Sequence, residues 1–161
     1  MKKLSLLFLA VLALGSCKKN DSNSPTPSKT DLLTAKNWRL TADKTTSTSS
    51  VSPNSVVTDE YATSPACERD NFIKFNTNKT AVYDEGATKC STSDPQTASA
   101  AWDFNSDATK LTFTDPSGSG LSIQEDILEL TATTLRLRVT SSYTAGGITA
   151  TSTEETTYTA F

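Results

Sequence analysis

Ala98-Ser99-Ala100-Ala101-Trp102-Asp103-Phe104-Asn105-Ser106-Asp107-Ala108-Thr109-Lys110-Leu111-Thr112-Phe113 decides the fold class. Ala98, Ala100, Trp102 and Phe104 fall on alternate positions, as do Leu111 and Phe113, and mostly polar residues stand between them. That is the period of strands with one buried face. Asn105-Ser106-Asp107 joins the two runs with residues whose short side chains bond their own backbone, which is turn chemistry. Strands joined so closely pair antiparallel.

The same pattern continues on both sides. Upstream, Asn71–Asn76 places Ile73 and Phe75 on one face, residues 76–79 form a turn, and Thr80–Asp84 returns before Glu85-Gly86 ends it. A polar loop with Pro95 follows Cys90. Downstream, Asp115-Pro116-Ser117-Gly118 stops the hairpin and Leu121–Leu130 is a further strand. Its apolar parity shifts between Ile123 and Leu128, which predicts a bulge near Glu125-Asp126. After a turn at 131–134, Leu135, Leu137 and Val139 point one way, Arg136 and Arg138 the other. Gly146-Gly147 is a hairpin turn before a Thr-rich last strand from Thr149 to Phe161.

Nearer the start, Asp31–Lys36 fits one helical turn capped by Thr30 or Asp31. Trp38–Ala42 then alternates as a strand. The Ser/Thr-rich stretch Thr45–Asp70, with Pro53 and Pro65, reads as a long irregular connection with an extended piece at Val56-Val57. About eight strands with no long amphipathic helix make the chain all-β. The expected architecture is an eight-stranded antiparallel up-and-down barrel, which removes exposed edges, and a β-sandwich is the alternative that alternation equally allows.

The amino terminus carries a different message. Lys2 and Lys3 precede an apolar run, Leu4 to Leu14, that is too short to span a bilayer, for which about 20 residues are needed. This is the order of a secretory signal. Ending in Leu14-Gly15-Ser16-Cys17, it resembles a bacterial lipoprotein signal, which implies removal of residues 1–16 and acylation of Cys17. Residues 17–30 would then be the lipidated cysteine and a disordered tether, because Lys18–Thr30 has no large apolar residue. Residues 31–161 form one domain. The expected location is the cell envelope, lipid-anchored to a membrane, with the outer membrane the expected one.

With Cys17 acylated, Cys67 and Cys90 remain, and in an oxidising compartment they are expected to form a disulfide. A zinc site is a poor alternative because the chain has no histidine. The spacing is not that of a C-x-x-C redox pair.

Charge and motifs narrow the function. The net charge is −3, and more acidic once Lys2 and Lys3 are removed, with no basic stripe for nucleic acid. Within residues 31–161 no GxSxG or S-x-x-K motif accompanies the many serines, so no enzyme is expected. The carboxylate pairs Asp59-Glu60, Glu125-Asp126 and Glu154-Glu155 read as solvated edges, since neighbours on a strand face opposite ways. Asp115-Pro116-Ser117-Gly118-Ser119-Gly120 lacks calcium-loop spacing and reads as a turn. No cofactor and no metal are expected.

The order of short pieces resembles a bacterial lipocalin-like domain over residues 31–161. A Leu-rich turn leads into Trp38, and a cysteine precedes Phe72-Ile73-Lys74-Phe75. Tyr83-Asp84-Glu85-Gly86 runs to Cys90, and Trp102-Asp103-Phe104, Leu111-Thr112-Phe113, Ile127-Leu128-Glu129-Leu130-Thr131 and Leu135-Arg136-Leu137 follow. Lipocalins carry a glycine two residues before the first-strand tryptophan, where this chain has Lys36, and an arginine over that tryptophan, for which Arg136 or Arg138 are the candidates. The resemblance implies a barrel that binds one small apolar or amphipathic ligand. Trp38, Phe75, Tyr83, Trp102, Phe104, Phe113, Leu135 and Leu137 would line or fill it. The alternative is a membrane-tethered structural or interaction module with a filled barrel, docking a protein partner through the 45–70 segment or a strand face.

Overall fold

A computed structural model describes residues 26–161. The signal segment, Cys17 and most of the expected tether lie outside the described residues. The strands are β1 (Asn37–Ser49), β2 (Ser52–Asp59), β3 (Phe72–Phe75), β4 (Thr80–Asp84), β5 (Thr97–Phe104), β6 (Lys110–Thr114), β7 (Ser122–Leu130), β8 (Thr134–Ala145) and β9 (Ile148–Ala160). All pair antiparallel, in the order β2-β1-β3-β4-β5-β6-β7-β8-β9, and β9 pairs back onto β1. Eight strands therefore close a barrel, and no sandwich forms. The ninth, β2, is annexed to the upper half of β1.

That annexation corrects the reading of 45–70. β1 pairs with β3 only through Asn37–Arg39, and from Lys44 to Ser49 the same edge is taken over by β2. Its other edge follows β9 from Trp38 to Ser49. The richness of 45–70 in Ser and Thr and its two prolines suggested an irregular segment, but the main-chain ladder and the β-branched preference of threonine for extended backbone form strands without burial. On the outer face of β8 and β9, hydroxyls meet across the strands: Thr140 with Thr153 at 3.2 Å, Ser142 with Thr151 at 3.0 Å and Thr144 with Thr149 at 2.9 Å. Only the end of the 45–70 segment is irregular, with a helical turn at Glu60–Thr63 and a 3-10 turn at Ala66–Glu68.

One end of the barrel is closed. A short helix, α1 (Lys29–Thr34), lies across it, capped by Ser28 rather than Thr30 or Asp31. Ser28 Oγ accepts from the Asp31 amide at 3.1 Å, and the Ser28 amide donates to Asp31 Oδ2 at 2.9 Å. Lys29 and Thr30, assigned to the tether by composition, thus belong to the helix. Leu33 of α1 is fully buried, and its carbonyl accepts from Trp38 Nε1 at 2.8 Å. Trp102 Nε1 likewise donates to the carbonyl of Asn76, in the β3–β4 turn, at 3.2 Å. Around these indoles pack Ile73, Phe75, Ala81, Leu111, Leu135 and Leu137.

Arg136 and Arg138 do not stand over Trp38. Alternation turns them outward, where Arg136 pairs with Glu155 at 3.5 Å and Arg138 with Asp126 at 3.1 Å. The β7 bulge also lies further on than expected, between Ile127 and Glu129. Parity is kept from Ile123 through Glu125 to Ile127, so Glu125 faces inward.

Candidate functional site

The open end is framed by the segments that follow β2, β4 and β6. Ala66–Glu68 and the 85–96 loop are joined by the Cys67–Cys90 disulfide, with Cα atoms 5.2 Å apart. Asp70 reinforces the joint: its carboxylate accepts from the Thr88 hydroxyl at 2.8 Å and from the Ala87 and Thr88 amides at 2.9 Å. These bonds, the Thr88 side chain first, hold the Asp70 carboxyl below the usual range. Gly86 sits beside this joint at φ +67°, and a Cβ there would lie 2.5 Å from the Asp70 carbonyl oxygen, so only glycine fits. The third segment is tied locally. Asp115 accepts from the Ser117 and Ser119 hydroxyls, which hold its carboxyl down at about 2.

Beneath this rim is a cavity of about 390 Å³. Trp38, Leu40, Ile73, Tyr83, Ala98 and Tyr158 give it apolar walls, and Glu68, Glu85 and Gln96 stand at its edge. Tyr83 separates it from a second recess of about 280 Å³ beside Phe113, Leu121 and Ile123. The eight candidate lining residues divide along the barrel axis. Trp38, Phe75, Trp102, Leu135 and Leu137 are buried in the closed end, with Phe104 packed against them. Trp38 also forms part of the cavity wall. Tyr83 and Phe113 stand higher, their ring centroids 6.4 Å apart, and Tyr83 is 40% exposed through the mouth.

The residues that composition and alternation did not single out are acidic. Strand pairing sets Glu125 opposite Leu111, and Glu154 opposite Val139 on one side and Thr45 on the other. Asp43 lies opposite Thr156 on the same inward face. Their partners in sequence face outward: Asp126 bonds Lys110 at 2.5 Å and Arg138, and Glu155 pairs with Arg136. Two of the three carboxylate pairs read as solvated edges thus each turn one acid into the barrel. The signal was present in the alternation, because Glu125 shares parity with Ile123 and Ile127.

Burial, and then the charge of Glu154, pushes the Glu125 carboxyl up to about 7. Burial followed by Glu125 pushes the Tyr83 phenol up to about 12, and the same two causes raise Tyr158. Asp43 is raised by burial first, then by Glu154. A carboxyl raised on folding favours the fold in its neutral form. That contribution is complete below the ordinary carboxylate value and is lost as pH rises through about 7. Ionised Glu125 is therefore a cost to the empty barrel.

The arrangement is a cup: packed at one end, apolar and aromatic in the walls of its cavity, and braced at the rim, with Asp43, Glu125 and Glu154 turned to the inward face of β1, β7 and β9. It offers a place for one small molecule. A family model described as the lipocalin-like domain matches residues 33–137. A search of curated proteins finds no match.

Proposed function

The chain belongs to the lipocalin-like domain family, and on that premise we propose that its barrel binds one small apolar or amphipathic ligand while a lipid on Cys17 holds it to a membrane of the cell envelope. The observation that carries the binding reading is the cavity of about 390 Å³ above a packed base, open to solvent between braced loops. Trp38 lies in its wall, so occupancy has an intrinsic reporter.

Diphenylhexatriene, an uncharged apolar fluorophore, is expected to bind at about one per chain and to quench tryptophan emission. Phe113→Ala widens the recess beside Tyr83 and should change the probe's affinity several-fold while the barrel stays folded. Absence of saturable binding overturns the reading. The anchor is tested separately. Cys17→Ala should move the protein from the membrane fraction to the soluble envelope fraction, and unchanged membrane partition overturns the lipobox assignment.

A second reading, a tethered interaction module, is favoured by one observation. The upper ribbon of β2 and β8–β9 leaves Val56 63%, Val57 61% and Tyr143 72% exposed. The free edge of β2, with Val56 and Val57 exposed, suits pairing with another chain. Failure of probe binding together with co-purification of a protein partner lost on Val57→Lys would support it.

A further inference from the structure

The charged side chains that line the two cavities have one sign. Glu68, Asp84, Glu85 and Asp94 stand around the larger cavity, and Asp115 stands beside the smaller recess. Among the described residues, no lysine or arginine lines either. The bases carried by the same loops bond carbonyls instead. Lys89 donates to the carbonyl of Asp94, and Arg69 donates to those of Ala62 and Ser64 at 3.2 Å.

The neutral polar groups at the edge of the larger cavity are also rich in acceptors. Gln96 gives its amide nitrogen to Asp84 Oδ1 at 2.8 Å and to the Gly86 carbonyl at 3.0 Å, which leaves its oxygen. Asn71 lines the cavity, and its Oδ1 accepts no hydrogen bond from the protein. The carboxylates can only accept. Donors come from the walls, where the hydroxyls of Tyr83 and Tyr158 can give or take a bond.

We propose that the larger cavity takes an amphipath with an uncharged head that donates hydrogen bonds, a hydroxyl or a primary amide, and refuses one headed by a carboxylate, such as a fatty acid. This rests on the reading of the barrel as a ligand-binding one and names the head of that ligand. The apolar body lies against Leu40, Ile73 and Ala98, and the head lies at the edge.

Two effects decide which head is accepted. Any ion gives up hydration as it approaches apolar walls. For an anion, repulsion from the four carboxylates acts in the same direction, and no base in the lining offsets it. For a cation, attraction opposes the loss of hydration, but it is weak, because Glu68 and Asp94 are exposed and water and salt screen them. An uncharged head meets neither penalty, and its O–H or N–H finds acceptors at the edge.

The test uses the full chain with diphenylhexatriene bound, and measures its displacement by four ligands with one alkyl body: decanol, decanoate, decylammonium and methyl decanoate. At about pH 8 and low ionic strength, decanol should bind at least about tenfold more tightly than decanoate, and more tightly than decylammonium. It should bind several-fold more tightly than methyl decanoate, which has no donor. The gap between decanol and decanoate should narrow several-fold in about 1 M salt and in the double variant Glu68→Gln/Glu85→Gln. Decanoate or decylammonium binding as tightly as decanol overturns the uncharged head and leaves apolar binding standing. Equal affinity for decanol and methyl decanoate overturns the donor. A gap that neither salt nor the double variant alters overturns repulsion by the edge carboxylates as its cause. Failure of all four to displace a bound probe overturns the assignment of the head alone, whereas failure of diphenylhexatriene to bind overturns the ligand reading itself.

Discussion

Phe75→Ala is expected to cost about 3–5 kcal/mol of folding stability, the range for removing a fully packed aromatic side chain. Phe75 is completely buried, with Trp102 set edge-on to its ring at 5.7 Å and Phe113 tilted against it at 5.9 Å. Its neighbours are held by other bonds, Trp102 by the Asn76 carbonyl and the backbone by β1 and β4, so they cannot collapse into the space. The loss combines burial forgone with an empty cavity. Urea unfolding followed by tryptophan fluorescence measures it. A loss under about 1 kcal/mol would mean that the closed end is not packed as described, because a single buried methylene is worth about that much. Phe113→Ala is the control. Its ring borders the open recess, and the side chain is only partly buried, so its truncation should cost distinctly less.

The second large effect belongs to the rim. Replacing both Cys67 and Cys90 by serine should cost about 2–4 kcal/mol. The bridge closes a separation of 23 residues that contains all of β3 and β4, so its absence enlarges the unfolded ensemble. At about 4 °C per kcal/mol for a domain of this size, Tm should fall by about 8–16 °C. The Asp70 bonds to Ala87 and Thr88 remain and keep the two segments adjacent in the folded state. The variant should therefore still fold at moderate temperature and still accept diphenylhexatriene, with faster probe release. A Tm unchanged by reductant or by the double substitution would show that Asp70 alone holds the rim.

The acids inside the barrel give the two outcomes a common setting. A chamber built only for stability would carry leucine at position 125, whose strand neighbour across the ladder is Leu111. Glutamate there is held partly protonated near neutral pH, and its ionisation works against the fold. Groups disfavoured in this way concentrate at sites that meet a ligand. The outward members of the same pairs show the contrast. Asp126, between Lys110 and Arg138, has its carboxyl lowered by those bonds.

By itself the sequence determined the strands that bury a face. In Ala98–Phe104, Leu111–Phe113 and Leu135–Val139 the period of two is a direct record of which side meets the core. Turns at Asn76–Lys79, Asn105–Asp107 and Gly146-Gly147 are written in residues whose backbone needs are local. From these came the antiparallel all-β class and the inward set that includes Trp38, Phe75 and Trp102. The pairing of Cys67 with Cys90 was also legible, by counting. Tertiary structure alone decided three things. It made strands of Thr45–Ser49 and Ser52–Asp59, because ladder bonds to β9 and between neighbours replace burial there. It closed the sheet as a barrel rather than a sandwich, through the pairing of β1 with β9, a contact between residues more than a hundred positions apart that no local period encodes. And it set Asp43, Glu125 and Glu154 around one space. Alternation gives each residue a side, but only the closure of the sheet turns three separate sides into a common interior where one carboxylate changes the ionisation of another.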